Sequence, residues 1–145
     1  MAITDLHVAV LRAQLAGQGE EHQRLGSQLT SSEDQEGYAE LLAAGFFTAV
    51  NDHFHRLEGA AATSAITDFV THLRAKDPEI ARHLDSRTGE RMISHALGKG
   101  DVDDIDGDTM FTNQIIVLNG LIMDADPSDK ELDDFMTRVR RLAES

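Results

Sequence analysis

Residues 38–54 read YAELLAAGFFTAVNDHF, and the placing of the apolar residues in this stretch decides the fold class. Tyr38, Leu41, Leu42, Gly45, Phe46, Ala49, Val50 and Phe54 follow one another mostly at steps of three and four residues. An α-helix brings side chains back to one side about every 3.6 residues, so this spacing predicts a helix with one unbroken apolar face. Ala43, Ala44 and Phe47 widen the stripe beyond that face, which predicts a central helix. Upstream, Ser32 and Gln35 have the spacing of a capping box. Downstream, Gly59 is the residue type expected where a helix ends in a left-handed turn.

The same period runs outward in both directions, and no segment shows a sustained alternation of two. Thr4 is placed to cap a first helix running to about residue 16, with Leu6, Val10 and Leu11 inward and Gly17 and Gly19 closing it. A short helix over about 20–29 turns His22, Leu25 and Leu29 inward. Past the central helix, Ile66, Phe69, Val70 and Leu73 repeat the stripe after a Thr63 or Ser64 cap. Asp77-Pro78 is a cap followed by a proline whose missing donor costs nothing in the first turn. It opens a fifth helix carrying Ile80 and Leu84, with a break over 85–89, after which Met92, Ile93, Ala96 and Leu97 resume until Gly98. A sixth helix over about 109–124 is apolar nearly all round. Ser128 and Glu131 form a second capping box, and Leu132, Phe135, Met136, Val139 and Leu142 face inward on the last helix. The reading is all-α: one domain over 1–145, a compact orthogonal or mixed bundle of about seven helices.

Composition narrows the function. With 145 residues, 41% of them apolar, the chain has the length and composition of one folded domain. It has no cysteine, which excludes disulfide scaffolds, thiol nucleophiles and cysteine-bound metals. The N-terminal stretch lacks a basic n-region and reads as a helix, not a signal peptide. The most apolar segment, 115–123, is interrupted by Asn119 and Gly120 and is about half the length of a membrane span. A cytoplasmic location is the expectation. The charge is −13, from 26 acidic and 13 basic residues, which argues against nucleic acid and anionic membranes as partners. Between 101 and 134 stand eleven carboxylates and one lysine, a net of −10. Such an excess either keeps a surface solvated or forms a docking face for a basic protein.

The stretches GYAELLAAGFFTAV, ALGKGDVDDIDGD and DPSDKELDDFMTRVRRLAES resemble those of small uncharacterised all-helical proteins of high-GC actinobacteria. The resemblance extends over residues 36–145 and implies a bacterial, cytoplasmic, helical protein; it brings no activity and no functional residue with it.

Several constellations can be tested against known chemistry. The loop Asp101, Asp103, Asp104, Asp106, Gly107, Asp108 has an EF-hand look. With Gly107 at the sixth position, Asp104 and Asp106 fall on the third and fifth. Val102 then falls on the first and Asn113 on the last, so the chelating ends are missing. Asp106 or Asp108 as cap of the sixth helix accounts better for the loop. Seven histidines include one H-x-H, His53 and His55, whose side chains leave a helix on different sides. Asp68 with His72, and Glu79 with His83, stand one turn apart as surface pairs. His53 continues the stripe of Ala49 and Val50 and is expected inward or toward a cleft. No nucleophile elbow and no phosphate loop is present. Gly45 and Gly120, inside the two most apolar helices, suit either close helix crossing or room for a small apolar ligand.

These readings lead to a non-enzymatic, cytoplasmic interaction or regulatory module with no cofactor and no metal. Its candidate partner face is Asp101, Asp103, Asp104, Asp106 and Asp108, and the partner is a basic protein or a second copy in a homodimer. The alternative is a binder of a small apolar ligand between the third and sixth helices, lined by Gly45, Phe46, Phe47, His53, Ile116 and Gly120.

Overall fold

Thr4 opens the first element as its sequence indicates. Its side chain accepts the His7 N–H, and the His7 ring returns the contact by accepting the Thr4 N–H at Nδ1. The computed structural model, which describes residues 3–145, contains eight helices and no strand among those residues, and helix makes up 78% of it. The helices are α1 (Asp5–Leu15), α2 (Gly19–Gly26), α3 (Ser32–Phe54), α4 (Gly59–Lys76), α5 (Pro78–His83), α6 (Ser86–Ala96), α7 (Gly107–Ala125) and α8 (Asp129–Glu144). None of the described helices is long and apolar enough to cross a membrane.

The boundaries depart from expectation where a polar side chain was better placed by one residue or one turn. At the start of α3 the reciprocal bonds join Ser31 and Asp34 instead of Ser32 and Gln35: Asp34 N–H donates to Ser31 Oγ at 3.0 Å. Gly59 does adopt the left-handed conformation, at φ 58°, but it begins α4 instead of closing α3. The start at Thr63 or Ser64 is thereby replaced by a full turn of alanines, the strongest helix formers, with Ala62 buried. The break expected over 85–89 is the first turn of α6. Asp85 accepts the Thr88 N–H at 3.0 Å and caps that helix, and Gly89 is buried beside Leu84. Arg74 fixes the junction before it, donating to Leu84 O at 2.8 Å, Ser86 Oγ at 3.0 Å and Ala81 O at 3.5 Å. The carbonyls left over at the end of α5 are satisfied by one guanidinium, so α5 and α6 stand as two helices.

Contacts divide the chain into two compact units, Met1–Thr48 with Ile122–Ser145, and Ala49–Leu121. In the first, α1 packs on α2 and α8, and Val10, Leu11, Leu41, Leu42 and Val139 are fully or almost fully buried. In the second, α4 packs on α5 and α6 around Phe54, Val70, Leu84, Met92, Ile93, Val117 and Leu118. Burial of each such side chain contributes about 1.5–3 kcal/mol.

Candidate functional site

The acidic loop between α6 and α7 is built by glycines and held by three side chains. Gly98 (φ 88°) and Gly100 (φ 72°) take left-handed conformations that let the chain leave α6 sharply. His95 Nδ1–H donates to Gly100 O at 3.1 Å. Arg91 reaches over the turn, donating to both Asp104 oxygens at 2.6 and 3.1 Å and to Asp101 O at 3.0 Å. The guanidinium hydrogen bond holds the Asp104 carboxyl below its usual range. Asp106 caps α7, accepting from Thr109 N–H at 2.8 Å and Thr109 Oγ1 at 2.9 Å, and those bonds lower its carboxyl likewise.

The five carboxylates therefore have different duties. Asp104 and Asp106, which would stand at the third and fifth positions of a calcium loop, are engaged with Arg91 and with the start of α7. Asp101 accepts the Asp103 N–H at 3.4 Å. Asp103 and Asp108 are exposed and hold no part of the loop in place through their side chains. Among the described residues no three His, Asp or Glu side chains converge as metal ligands would. The other acidic run, 124–134, belongs to the unit with α8; there Glu131 completes the capping box with Ser128, Lys130 pairs with Asp134 at 2.9 Å, and Asp133 pairs with Arg12 at 2.6 Å.

The residues proposed to line an apolar pocket lie in two units. Gly45 and Phe46 are buried and Phe47 is 46% exposed, all in the unit with α1 and α8. His53, Ile116 and Gly120 belong to the other unit. His53 is exposed, contrary to its expected inward direction, and its ring lies against Phe54 (4.6 Å between centroids) and Phe69 (5.8 Å). An imidazole can rest its apolar edge on two rings while its nitrogens stay in water, which explains why a position continuing the stripe ends at the surface. Gly120 is buried against α4, where an added Cβ would come within 2.8 Å of Leu73 Cδ1 and 3.4 Å of Phe69 Cζ. That glycine serves the close approach of α7 to α4.

The other histidines are used locally. His72 Nδ1–H donates to the backbone oxygen of Asp68 at 2.9 Å, so the contact with Asp68 is to its main chain instead of its carboxylate. His83 stands 3.7 Å from Glu79 as the helical spacing predicts. His22 donates to Val10 O at 3.0 Å, and His55 Nδ1–H to Asn51 O at 2.9 Å.

Two residues escaped the reading of the sequence. His7 is buried at 2% exposure; its Nδ1 accepts from Thr4 N–H at 3.0 Å, and its Nε2–H donates to Asp34 O at 2.9 Å. Gly37 makes room for the ring, since an added Cβ would overlap it. The pair Thr4-x-x-His7 was the available signal, a capping box with imidazole in place of a carboxylate. Asn113 is 1% exposed on α7, and neither its Oδ1 nor its Nδ2 has a hydrogen-bond partner among the described residues. Its neighbours Phe111, Ile115 and Val117 gave no hint of a polar requirement.

No family model, no curated protein and no solved structure matches the chain.

Proposed function

We propose that the protein is a non-enzymatic cytoplasmic module that takes a basic protein partner on the loop between α6 and α7. The observation that carries this reading is the state of the loop's carboxylates. All five are exposed, and among the described residues only Asp104 stands in an ion pair, with Arg91. Asp104 and Asp106 fix the loop's shape, leaving Asp101, Asp103 and Asp108 to present charge outward. A rigid loop bearing unmatched charge favours oriented encounter with a surface of opposite sign and disfavours anionic partners.

The test separates the loop from bulk charge. Cross-linking in the native extract identifies a partner, and the purified pair is then measured directly. Asp103→Asn with Asp108→Asn removes two charges without touching the bonds of Asp104 and Asp106. Glu36→Gln with Glu40→Gln removes two exposed charges from α3. The expected result is a salt-sensitive complex weakened by the loop variant and unchanged by the α3 variant. Equal weakening by both, or no partner at any salt concentration, overturns the reading.

A further inference from the structure

A cavity of about 490 Å³ opens in the unit Ala49–Leu121, where the end of α3, the start of α4 and the end of α6 meet. Its floor is apolar: Phe54 and Ala62 are almost completely buried, and Leu57, 39% exposed, and Leu97 stand beside them. Asn51 Nδ2–H donates to Ala96 O at 3.1 Å, tying the end of α3 to the end of α6 and fixing two walls against each other. A side chain built at Gly59 would meet nothing within 4 Å, so the backbone there borders open space.

The rim carries three ionisable side chains, two of which the fold does not use for its own bonds and the third only through one ring nitrogen. Glu58 precedes α4 but offers no side-chain cap to it. Lys99 is exposed, and its ammonium has no acidic partner among the described residues. His55 is bonded only through Nδ1, to the carbonyls of Asn51 and Asp52; a carbonyl can only accept, so Nδ1 carries the proton and Nε2 is uncommitted. Four cations elsewhere are paired: Arg12 with Asp133, Arg140 with Asp5, Arg91 with Asp104, Lys130 with Asp134. Here an ammonium and a carboxylate line one hollow and are not paired with each other.

We propose that this cavity binds an apolar zwitterion of amino-acid size, its carboxylate on Lys99, its ammonium on Glu58 and its hydrocarbon body on the floor of Phe54, Leu57, Ala62 and Leu97. A purely anionic ligand would face Glu58 and a purely cationic one Lys99, whereas a zwitterion meets a complementary charge at both. His55 Nε2 supplies an acceptor for the ligand ammonium. A volume within about 300–1,000 Å³, an apolar floor and a few polar groups at the rim are the ordinary features of a small-molecule site. The proposal uses none of the loop's carboxylates, although Leu97 and Lys99 belong to the same α6–α7 connection.

Titration of the ¹⁵N-labelled full chain tests it. The probes are L-leucine, 4-methylpentanoate (leucine without its ammonium) and 3-methylbutylamine (leucine without its carboxylate). L-leucine is expected to shift the amides of Leu57, Gly59, Ala62, Leu97 and Lys99, and to bind about tenfold more tightly than either analogue, since a charge-assisted bond is lost with each. Lys99→Met should weaken L-leucine about tenfold and leave 3-methylbutylamine unchanged; Glu58→Gln should weaken L-leucine similarly and leave 4-methylpentanoate unchanged. Both positions are exposed, so the variants keep the wild-type spectrum elsewhere. A free amino acid and a short peptide share this chemistry, so L-leucyl-L-leucine is titrated in parallel and the tighter binder names the source. No shift with L-leucine in the millimolar range, shifts outside the cavity, or affinities indifferent to both substitutions would overturn the proposal.

Discussion

In the unit formed by Met1–Thr48 and Ile122–Ser145, polar side chains join parts of the chain that are far apart in sequence. Arg140 donates to Asp5 Oδ1 at 2.7 Å and to Ile3 O at 2.8 Å, Arg12 to Asp133 at 2.6 Å, Tyr38 to Gln14 at 2.5 Å and His7 to Asp34 O at 2.9 Å. In the unit Ala49–Leu121 most such bonds stay within a few turns, as Arg74 does around the α5–α6 junction and Arg91 over the acidic loop. That unit also holds a buried amide without a partner among the described residues, Asn113, and at one cavity two unengaged charged groups, Glu58 and Lys99, beside a free His55 Nε2. The first unit uses its polar chemistry to fix its own fold. The second keeps part of its polar chemistry free, and a ligand or partner has groups to meet there.

The largest expected effect concerns Tyr38, in the first unit. Burial pushes its phenol up to about 12, against an ordinary value of 10.0. The folded state therefore holds the proton more tightly than the unfolded state. The resulting stability is fully present below about pH 10 and is lost as pH rises toward about 12, a change of about 2–3 kcal/mol. Urea unfolding at about pH 9 and about pH 11.5 should show this loss in the wild type and a smaller one in Tyr38→Phe. An equal loss in both proteins would place the alkaline sensitivity elsewhere.

Next in size is a pair of glycines, one from each unit. Gly37→Ala would press a methyl group into the His7 ring, which hydrogen bonds at both nitrogens hold in place. The expected cost is about 2 kcal/mol, after the roughly 1 kcal/mol that alanine gains in a helix. At Gly120 the opposing atoms include the tip of Leu73, a flexible end that can turn aside, so Gly120→Ala should change stability by less than about 1 kcal/mol. Denaturation midpoints of the two variants decide the matter. A costlier change at Gly120 would reverse the ranking of rigidity between the two sites.

How far the sequence could be read follows the same division between local and distant causes. The helical period of Leu41, Leu42, Phe46, Ala49 and Val50 is a property of the chain alone, and these residues are buried as it predicts. The Ser128–Glu131 box and the Asp77 cap are equally local and form as read. The Asp85 cap needed recognition of a polar residue one position before a helix, and the break expected over 85–89 is helical, with Gly89 in close contact with Leu84. His53 depended on how Phe54 and Phe69 arrange their rings, which no spacing encodes. The cavity joins the α3–α4 connection, which holds His55 and Glu58, to the α6–α7 connection, which holds Lys99, about 40 residues further on, and was beyond reach for that reason.

Asn113→Leu should sharpen the comparison from the second unit's side. A buried amide without partners costs about 1–3 kcal/mol, and leucine has a similar branched shape without polar atoms. Stability should rise by about 1–2 kcal/mol, where most core substitutions lower it. A fall in the denaturation midpoint would show that the amide is bonded in solution and that the second unit is as fully satisfied as the first.

The smallest effect is the coupling between Arg12 and Asp133, which joins α1 to α8 in the first unit. The two side chains are 27% and 62% exposed, so solvent screens their attraction and ordering both chains opposes it. Arg12 also stands 3.9 Å from Asp129, which offers the guanidinium a second carboxylate when Asp133 is removed. A double-mutant cycle with Arg12→Met and Asp133→Asn should therefore give less than about 1 kcal/mol, falling further when salt is raised. Methionine keeps most of the aliphatic stem that packs against α8, so the cycle reports the charge pair instead of lost packing. The third arm, Asp129→Asn in the Asp133→Asn background, should lower the residual contribution of Arg12 if the guanidinium shifts to its second carboxylate. A coupling well above 1 kcal/mol that survives high salt would mean that this exposed contact orders α1 and α8 more than its solvent exposure allows, and the first unit's stability would then rest on its ion pairs as much as on its core.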